Sequence, residues 1–489
     1  MAASYAVTDG IAVITIDNPP VNGLGLAVRI ALTEHLDRAL DDDAVVGIVI
    51  TGAGKAFSGG ADMREFNSPK TGLEPGVNTV IAALENSPKP VVAAVHSVAM
   101  GGGLELAMGC HYRVAAPKAR IALSEVTMGL LPGAGGTQRL PRLVGLELAT
   151  EMITTGASRS SDSLADSGLF DQIAEGDLLA AAIGFARQKA KLPAPHPRAR
   201  DLKIGHPNAE GYLAIVKATI QARQNHLPAP QRCVEALVAA VKLPFDEALA
   251  LERRFFVELM NTPVSKALRH AFFSERAAAK LPGVDAVLAP RTIGKVGVVG
   301  AGLMGSGIAA NFLSAGIPVL LNDRDQASID RGTATIRRNY EASARKGKLS
   351  AAQVEQAMAL LSPAPALEAL ADCDLVIEAA YEDMDVKKAI FERLDRILKP
   401  DAILATNTST LDVDQLAAVT SRPANVLGLH FFSPANVMRL LEIVRTASVS
   451  DEVLITAMAV ARRINKVPVV SGVCDGFIGN RMLAEYGWQ

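Results

Sequence analysis

Two groups of residues in this chain have the types and spacing to do chemistry, and they lie in opposite halves. In the C-terminal half an apolar run, Val296 to Val299, meets Gly300-Ala301-Gly302-Leu303-Met304-Gly305; a helix-like stretch follows, and a second apolar run ends on Asp323. This is the pattern of a βαβ unit. Gly300 allows the tight turn, Gly302 lets backbone approach a pyrophosphate, and Gly305 lets the helix pack on the strand. A pyrophosphate there meets the free N–H groups of the first helical turn, at Leu303 and Met304, and the positive end of the helix dipole. Asp323 is placed to accept hydrogen bonds from the adenosine ribose hydroxyls and to repel a 2′-phosphate, so the spacing points to NAD over NADP.

The N-terminal half carries carboxylates instead. Gly52 to Asp62, GAGKAFSGGAD, is a glycine-rich loop after a buried strand, and Pro90 to Val95 is another such strand. Gly101-Gly102-Gly103 then opens a helix whose first turn holds Glu105. Ala119 to Ser124 reads as a short strand, ending on Glu125 ahead of the glycine-rich LLPGAGGTQRL. Backbone N–H groups at such a helix start, with one more donor from Gly59-Gly60-Ala61, could stabilise an oxyanion, and a carboxylate one turn along can act as a base. Each feature alone has a plainer reading: a surface turn for the loop, an offset to the helix dipole for Glu105, a solvated loop acid for Glu125.

Positioning these groups requires alternating strands and helices. Residues 4 to 17 alternate and become β-rich around the hairpin signal Asp9-Gly10. A helix is predicted from about Ala27 to Asp41 and a buried strand from Val45 to Thr51. In the C-terminal half a long amphipathic stretch, Gln326 to Leu361, precedes strands that end on Glu378, on Asn407-Thr408-Ser409 and, after Val426 to Leu429, on His430. Polar groups therefore gather at strand ends, where ligands bind in an open parallel sheet. A lone histidine beside Phe431 and Phe432 reads more readily as a satisfied core residue than as a catalyst. Between the halves, prolines at 193, 195, 197 and 207 punctuate a loop, and helical patterns run from about Asn208 to Ala240 and from Pro244 to Leu281. Ala277 to Lys280 followed by Pro282-Gly283 reads as a helix end at a domain boundary.

A length of 489 residues exceeds one ordinary core and suggests two to four domains. The formal net charge of -2, from 49 basic and 51 acidic residues, offers no field for nucleic acid. Cys110, Cys233, Cys373 and Cys474 are dispersed without CxxC spacing or a secretory leader, which points to reduced core thiols and no metal site. No 18-residue apolar stretch lacks a polar interruption, so no membrane span is expected.

Taken in order, KAFSGGAD, VAMGGGLELAMGCHYRVA and SEVTMGLLPGAGGTQRLPRLVG resemble the crotonase family of enoyl-CoA hydratases and isomerases over residues 1 to about 190. The resemblance implies a ββα superhelix, a thioester oxyanion hole from the amides of Ala61 and Gly102, and two catalytic acids at Glu105 and Glu125. Glu105 is then the base for water adding at C3 and Glu125 the acid that protonates C2. Glu125 alone could shuttle a proton between C2 and C4, which leaves double-bond isomerisation open. One departure is Ser97, where the family commonly has glycine, and a packing adjustment is expected. Arg253, Arg254, Lys266 and Arg269 read as a solvated face rather than a CoA phosphate contact.

From Lys295 onward, GLHFFSP around His430, NTST upstream, LLEIV downstream and DGFIGNR at 475 to 481 resemble the 3-hydroxyacyl-CoA dehydrogenase family. That resemblance implies His430 as base, Glu442 as its orienting carboxylate, Ser409 and Asn480 as substrate contacts, and Glu382 and Lys387 as nicotinamide-ribose contacts. In this family the GFIGNR stretch leads into a helical C-terminal domain, whereas here only residues 481–489 follow. The resemblance thus implies either a fragment or an unusually short gene product, in both cases with a dehydrogenase half expected to bind NAD yet turn over poorly and to expose apolar surface.

The expected architecture is α/β: a crotonase-like domain at 1–190, a helical linker at 191–291, a Rossmann-type doubly wound NAD-binding domain at 292–474, and the start of a further domain at 475–489. The expected function is bifunctional fatty-acid β-oxidation on acyl-CoA thioesters. A hydratase would feed a dehydrogenase through a shared 3-hydroxyacyl-CoA, with a thiolase partner or self-association compatible. Two other readings stay open: a hydratase/isomerase with an inactive NAD-binding half, and a non-catalytic CoA- and NAD-binding subunit. The expected location is cytoplasmic, or peroxisomal for a longer eukaryotic parent.

Overall fold

Asp9 and Gly10 both take positive φ, 53° and 76°, as a tight Asp-Gly turn requires, and they pair Ala3–Thr8 antiparallel with Ile11–Ile16. This hairpin opens a six-stranded sheet that continues through Gly47–Gly52, Val91–Val95, Tyr112–Ala115 and Gln172–Ile173, all parallel. The computed structural model describes residues 2–487 apart from 67, 225, 279, 282, 283 and 285–287, together with all described side chains but that of 71. It comprises two units, Met1–Phe272 and Phe273–Gln489. The expected boundary signal at Pro282-Gly283 lies outside the described residues.

A helix from Leu26 to Asp41 buries Val28, Leu32 and Leu36, spaced by four residues on one face, against the first sheet. A small second sheet, Val98–Met100, Arg120–Ala122 and Arg159–Ser160, holds the segments around the candidate acids. Glu125 itself begins a short 3-10 turn, Glu125–Met128, beyond the strand.

The helices expected to form a linker instead complete the first unit. Ala209–Gln224, Pro228–Lys242 and Phe245–Asn261 bury Leu213, Cys233, Leu237, Phe255 and Leu259 in the same core as the sheet. Each expected long helical pattern is also split in two, at Pro228 and Pro263. A proline lacks the N–H that a continuing helix would need, yet its fixed φ suits a first turn.

The second unit is built on an eight-stranded sheet in the order Leu361–Pro363, Val319–Asn322, Val296–Val299, Leu375–Glu378, Ile403–Thr406, Val426–Phe431, Leu440–Arg445, Val467–Gly472. All neighbours are parallel except Val426–Phe431 with Leu440–Arg445. This is the doubly wound fold the glycine fingerprint predicts. The stretch from 326 to 361 is two helices, Gln326–Arg345 and Ala351–Ala359, separated by Gly347 at φ 69° and a capping box on Ser350. His430 lies within its strand, not beyond its end, and pairs across with Glu442. Among the described residues no helix is long and apolar enough to cross a membrane.

Candidate active sites

In the first unit the pocket is made of backbone. Gly60 and Gly101 both take left-handed φ, 100° and 51°. A Cβ on Gly60 would meet Met100 O at 2.7 Å, and one on Gly102 would stand 3.2 Å from Ala61 N. Only glycine lets the loop approach the start of the helix Gly102–Gly109 this closely. Ala61 N–H and Gly102 N–H thus lie together, and among the described residues neither donates to another group.

Glu125 closes the same pocket, since a Cβ on Gly101 would fall 2.6 Å from its Oε1. Its Oε2 is buried with no hydrogen-bond partner among the described residues. Burial first, and then the charges of Glu105 and Glu252, push Glu125 well above the ordinary carboxylate range. Glu105 is 3% exposed, and its Oε1 accepts hydrogen bonds from Ala134 N and Gly136 N, both at 2.8 Å. Burial raises its pKa in spite of those bonds and of the nearby Arg139 and Arg253.

Sequence reasoning missed Glu252, on the helix Phe245–Asn261. It is fully buried and accepts from Gly135 N at 2.7 Å, from Thr137 N at 3.0 Å and from the Thr137 hydroxyl. Burial and the Glu105 charge push it up to about 8. The signal was a carboxylate on the apolar face of a helix, in line with Ala248, Phe255, Phe256 and Leu259. Arg269 also departs from expectation. It is 4% exposed, not part of a solvated face, and sits over Phe66 while donating to Met260 O and Ser265 O. Ser97 takes a left-handed φ of 52°, a conformation in which the family's usual glycine is at ease.

In the second unit the glycines behave as the fingerprint predicts. A Cβ on Gly305 would strike Gly300 O and one on Gly300 would meet Ala379 O at 2.5 Å, whereas Gly302 faces open space. The helix Leu303–Ser314 starts without a side-chain cap, leaving its first N–H groups available. Asp323 receives Ala301 N and Arg324 N at 2.7 Å and keeps further lone pairs for hydroxyl donors. The donor set and the uncovered glycine fit NAD.

His430 Nδ1 lies 2.7 Å from Glu442 Oε2, and Glu442 Oε1 accepts from Gly479 N and Ile478 N at 2.7 and 3.1 Å. Burial alone would raise the Glu442 carboxyl, but the hydrogen bond from His430 and the two amides hold it below its usual value. A carboxylate only accepts, so Nδ1 carries the hydrogen and Nε2 is left as the base. Asn480 Nδ2 donates to Ser409 O at 3.4 Å, which draws the two expected substrate contacts together. Glu382 accepts from Ser409 N at 2.8 Å and from the Thr408 hydroxyl. Lys387 stands behind it, its side chain 1% exposed, bound to both oxygens of Glu378 at 2.8 and 2.9 Å and to Glu382 at 3.2 Å. In this geometry Lys387 braces Glu382, the other expected nicotinamide-ribose contact.

The chain matches two families: enoyl-CoA hydratase/isomerase over residues 6–203, and the NAD-binding domain of 3-hydroxyacyl-CoA dehydrogenase over residues 295–474. It is 41% identical over 491 residues to a peroxisomal bifunctional enzyme of Danio rerio, covering 99% of this chain and 67% of the relative. The human peroxisomal bifunctional enzyme is 39% identical, with 99% and 68% covered. A peroxisomal fatty acid β-oxidation multifunctional protein of Oryza sativa subsp. japonica is 40% identical, with 99% and 69% covered.

Proposed function

The chain belongs to the bifunctional enzymes of fatty-acid β-oxidation, which join an enoyl-CoA hydratase to an NAD-dependent 3-hydroxyacyl-CoA dehydrogenase, and from that premise we propose how its residues divide the work. Ala61 N–H and Gly102 N–H stabilise the thioester oxygen as charge develops on it. Glu105 takes a proton from the water adding at C3, and Glu125, kept neutral by its surroundings, delivers one to C2. The observation that carries this is that Ala61 N and Gly102 lie together while the Glu125 carboxyl, its Oε2 buried and unpartnered among the described residues, stands against the adjoining Gly101. The same unpartnered carboxyl supports isomerisation, since a neutral acid there can exchange protons at C2 and C4.

In the second unit Glu442 holds the Nδ1–H of His430, so that Nε2 takes the proton of the 3-hydroxyl group. Ser409 and Asn480 hold the substrate, and Glu382 orders Ser409. NAD, held by Gly300, Gly302, Leu303, Met304, Gly305 and Asp323, supplies the two-electron oxidising capacity when bound. The hydratase function draws on residues 1–190 and the helices packed on them, and the dehydrogenase function on 292–474 together with Asn480. The named relatives favour a peroxisomal location over a cytoplasmic one, and a thiolase consuming the 3-ketoacyl-CoA is the partner this product calls for.

The test adds a short trans-2-enoyl-CoA without NAD and follows loss of the conjugated thioester absorbance, then adds NAD and follows NADH. Both signals are expected, with Glu125→Ala removing the first and His430→Ala only the second. Hydration without NADH would restrict the activity to the first unit, and the absence of both from folded protein would overturn the reading.

A further inference from the structure

The turn 133–137 is held from two sides by two buried carboxylates. Successive amides alternate between them: Ala134 N and Gly136 N donate to Glu105, while Gly135 N and Thr137 N donate to Glu252. Those of Gly135, Gly136 and Thr137 are orphan donors at the start of the helix Gly136–Val144, whose N-cap Gly135 offers no side chain to satisfy them. One carboxylate comes from the candidate active site and the other from a helix more than a hundred residues downstream. Neither is exposed, and the hydroxyl of Thr137 also turns to Glu252, itself receiving Gln138 Nε2 at 2.8 Å.

We propose that Glu252 is a positioning residue for hydration: it fixes the turn whose amides orient Glu105, and its charge bears on the proton held by Glu125. This rests on the assignment of Glu105 and Glu125 made above. Were Glu252 absent, Gly135 N and Thr137 N would be buried without acceptors, a penalty the turn escapes only by moving. Moving it takes Ala134 N and Gly136 N away from Glu105. The charged and titratable groups around this cluster are Glu105 on its helix, Glu125 in its turn, Arg139 on the capped helix, Arg253 beside Glu252, and the buried Cys233 on the neighbouring helix. Arg139 is already engaged by Glu85, at 2.8 Å. Glu105, Glu125 and Glu252 therefore share a site in which each charge raises the cost of the next.

The test compares Glu252→Gln and Glu252→Asp in the full chain, with crotonyl-CoA hydration followed across pH and folding checked by circular dichroism. The amide keeps one acceptor, sets a donor against a donor and removes the charge. Its kcat is expected to fall roughly ten- to a hundredfold, the scale of a displaced catalytic group, with KM within about twofold. Its alkaline limb is expected to move to lower pH, because losing a nearby negative charge lets Glu125 lose its proton sooner. The aspartate keeps the charge and loses reach, so its kcat falls while the alkaline limb stays in place. A wild-type kcat and pH profile in Glu252→Gln, or a change in KM alone, overturns the proposal. If the glutamine variant does not fold, the aspartate variant decides: lowered kcat with an unmoved limb supports the proposal, and wild-type kcat overturns it. Full hydration by Glu105→Gln would sink the underlying site assignment instead, which separates that failure from this one.

Discussion

Glu105 and Glu442 are buried to nearly the same degree, 3% and 1% exposed, and each accepts two backbone N–H bonds through one oxygen. Their protons nevertheless go opposite ways. Burial lifts the Glu105 carboxyl, whereas Glu442 is held below its usual value. The difference lies in the third neighbour. Glu442 faces an imidazole across a strand pair, while at Glu105 burial outweighs the two amides and the nearby Arg139 and Arg253. A raised carboxyl is the stronger base once ionised, which suits taking a proton from water, and Glu125, where the charges of Glu105 and Glu252 add to burial, keeps its proton for delivery to carbon; a carboxylate paired with histidine stays ionised, which suits orienting a base. Burial sets the stakes for both groups and the partner decides the sign.

The sharpest way to break this comparison is Glu442→Gln. An amide cannot hold the Nδ1–H tautomer in the same way, so NADH formation is expected to fall by roughly a thousandfold or more while hydration is unchanged, both read in one coupled assay. Glu105→Gln should do the converse, lowering hydration by roughly a hundred- to ten-thousandfold and leaving oxidation of added 3-hydroxyacyl-CoA intact.

Smaller and more diagnostic is the pH dependence of stability. Glu252, raised from 4.5 to about 8, contributes stability that is fully present below about 4.5 and is lost as pH rises through about 8. Glu442, lowered, contributes stability present above 4.5 and lost as pH falls through its depressed value. Calorimetry from pH 4 to 9 should therefore show alkali weakening the first unit and acid the second, by several degrees in Tm. Glu252→Gln should flatten the alkaline loss and Glu442→Gln the acid loss; parallel behaviour of both transitions would refute the contrast. The smallest effect belongs to Ser97, where Ser97→Gly relieves a left-handed φ at the cost of chain entropy. A gain of about 0.5–1 kcal/mol is expected, roughly 2 °C in thermal unfolding.

Much of both sites was legible because short-range spacing carries it. Gly300, Gly302 and Gly305 announce their roles through the turn, the strand and the helix that surround them, and the structure shows a clash for a Cβ at two of the three. The glycine loops pointed to the helix start at Gly101-Gly102-Gly103 and to the Gly59-Gly60-Ala61 loop as amide donors, and the family resemblance narrowed these to Ala61 and Gly102. The pairing of Lys387 was not legible, because neither spacing nor resemblance says which carboxylates a lysine meets. Its ammonium is drawn inward by Glu378, a strand-end acid that the sequence shows without its purpose. The two long helical patterns were overdrawn because periodicity persists across Pro228 and Pro263 even where the helix restarts.

The amino-acid sequence by itself determined the NAD fingerprint and the order of strands and helices, since each follows from residue types a few positions apart, and it indicated the two chemistries through the resemblance of its longer motifs to two families. Tertiary structure alone decided that residues 209 to 272 are part of the hydratase unit, that His430 faces Glu442 from within a strand, and that Glu252 meets the turn that also holds Glu105. Those relations join residues far apart along the chain. Only the packing of apolar faces brings them together, and only then do burial and neighbouring charge set where each proton resides.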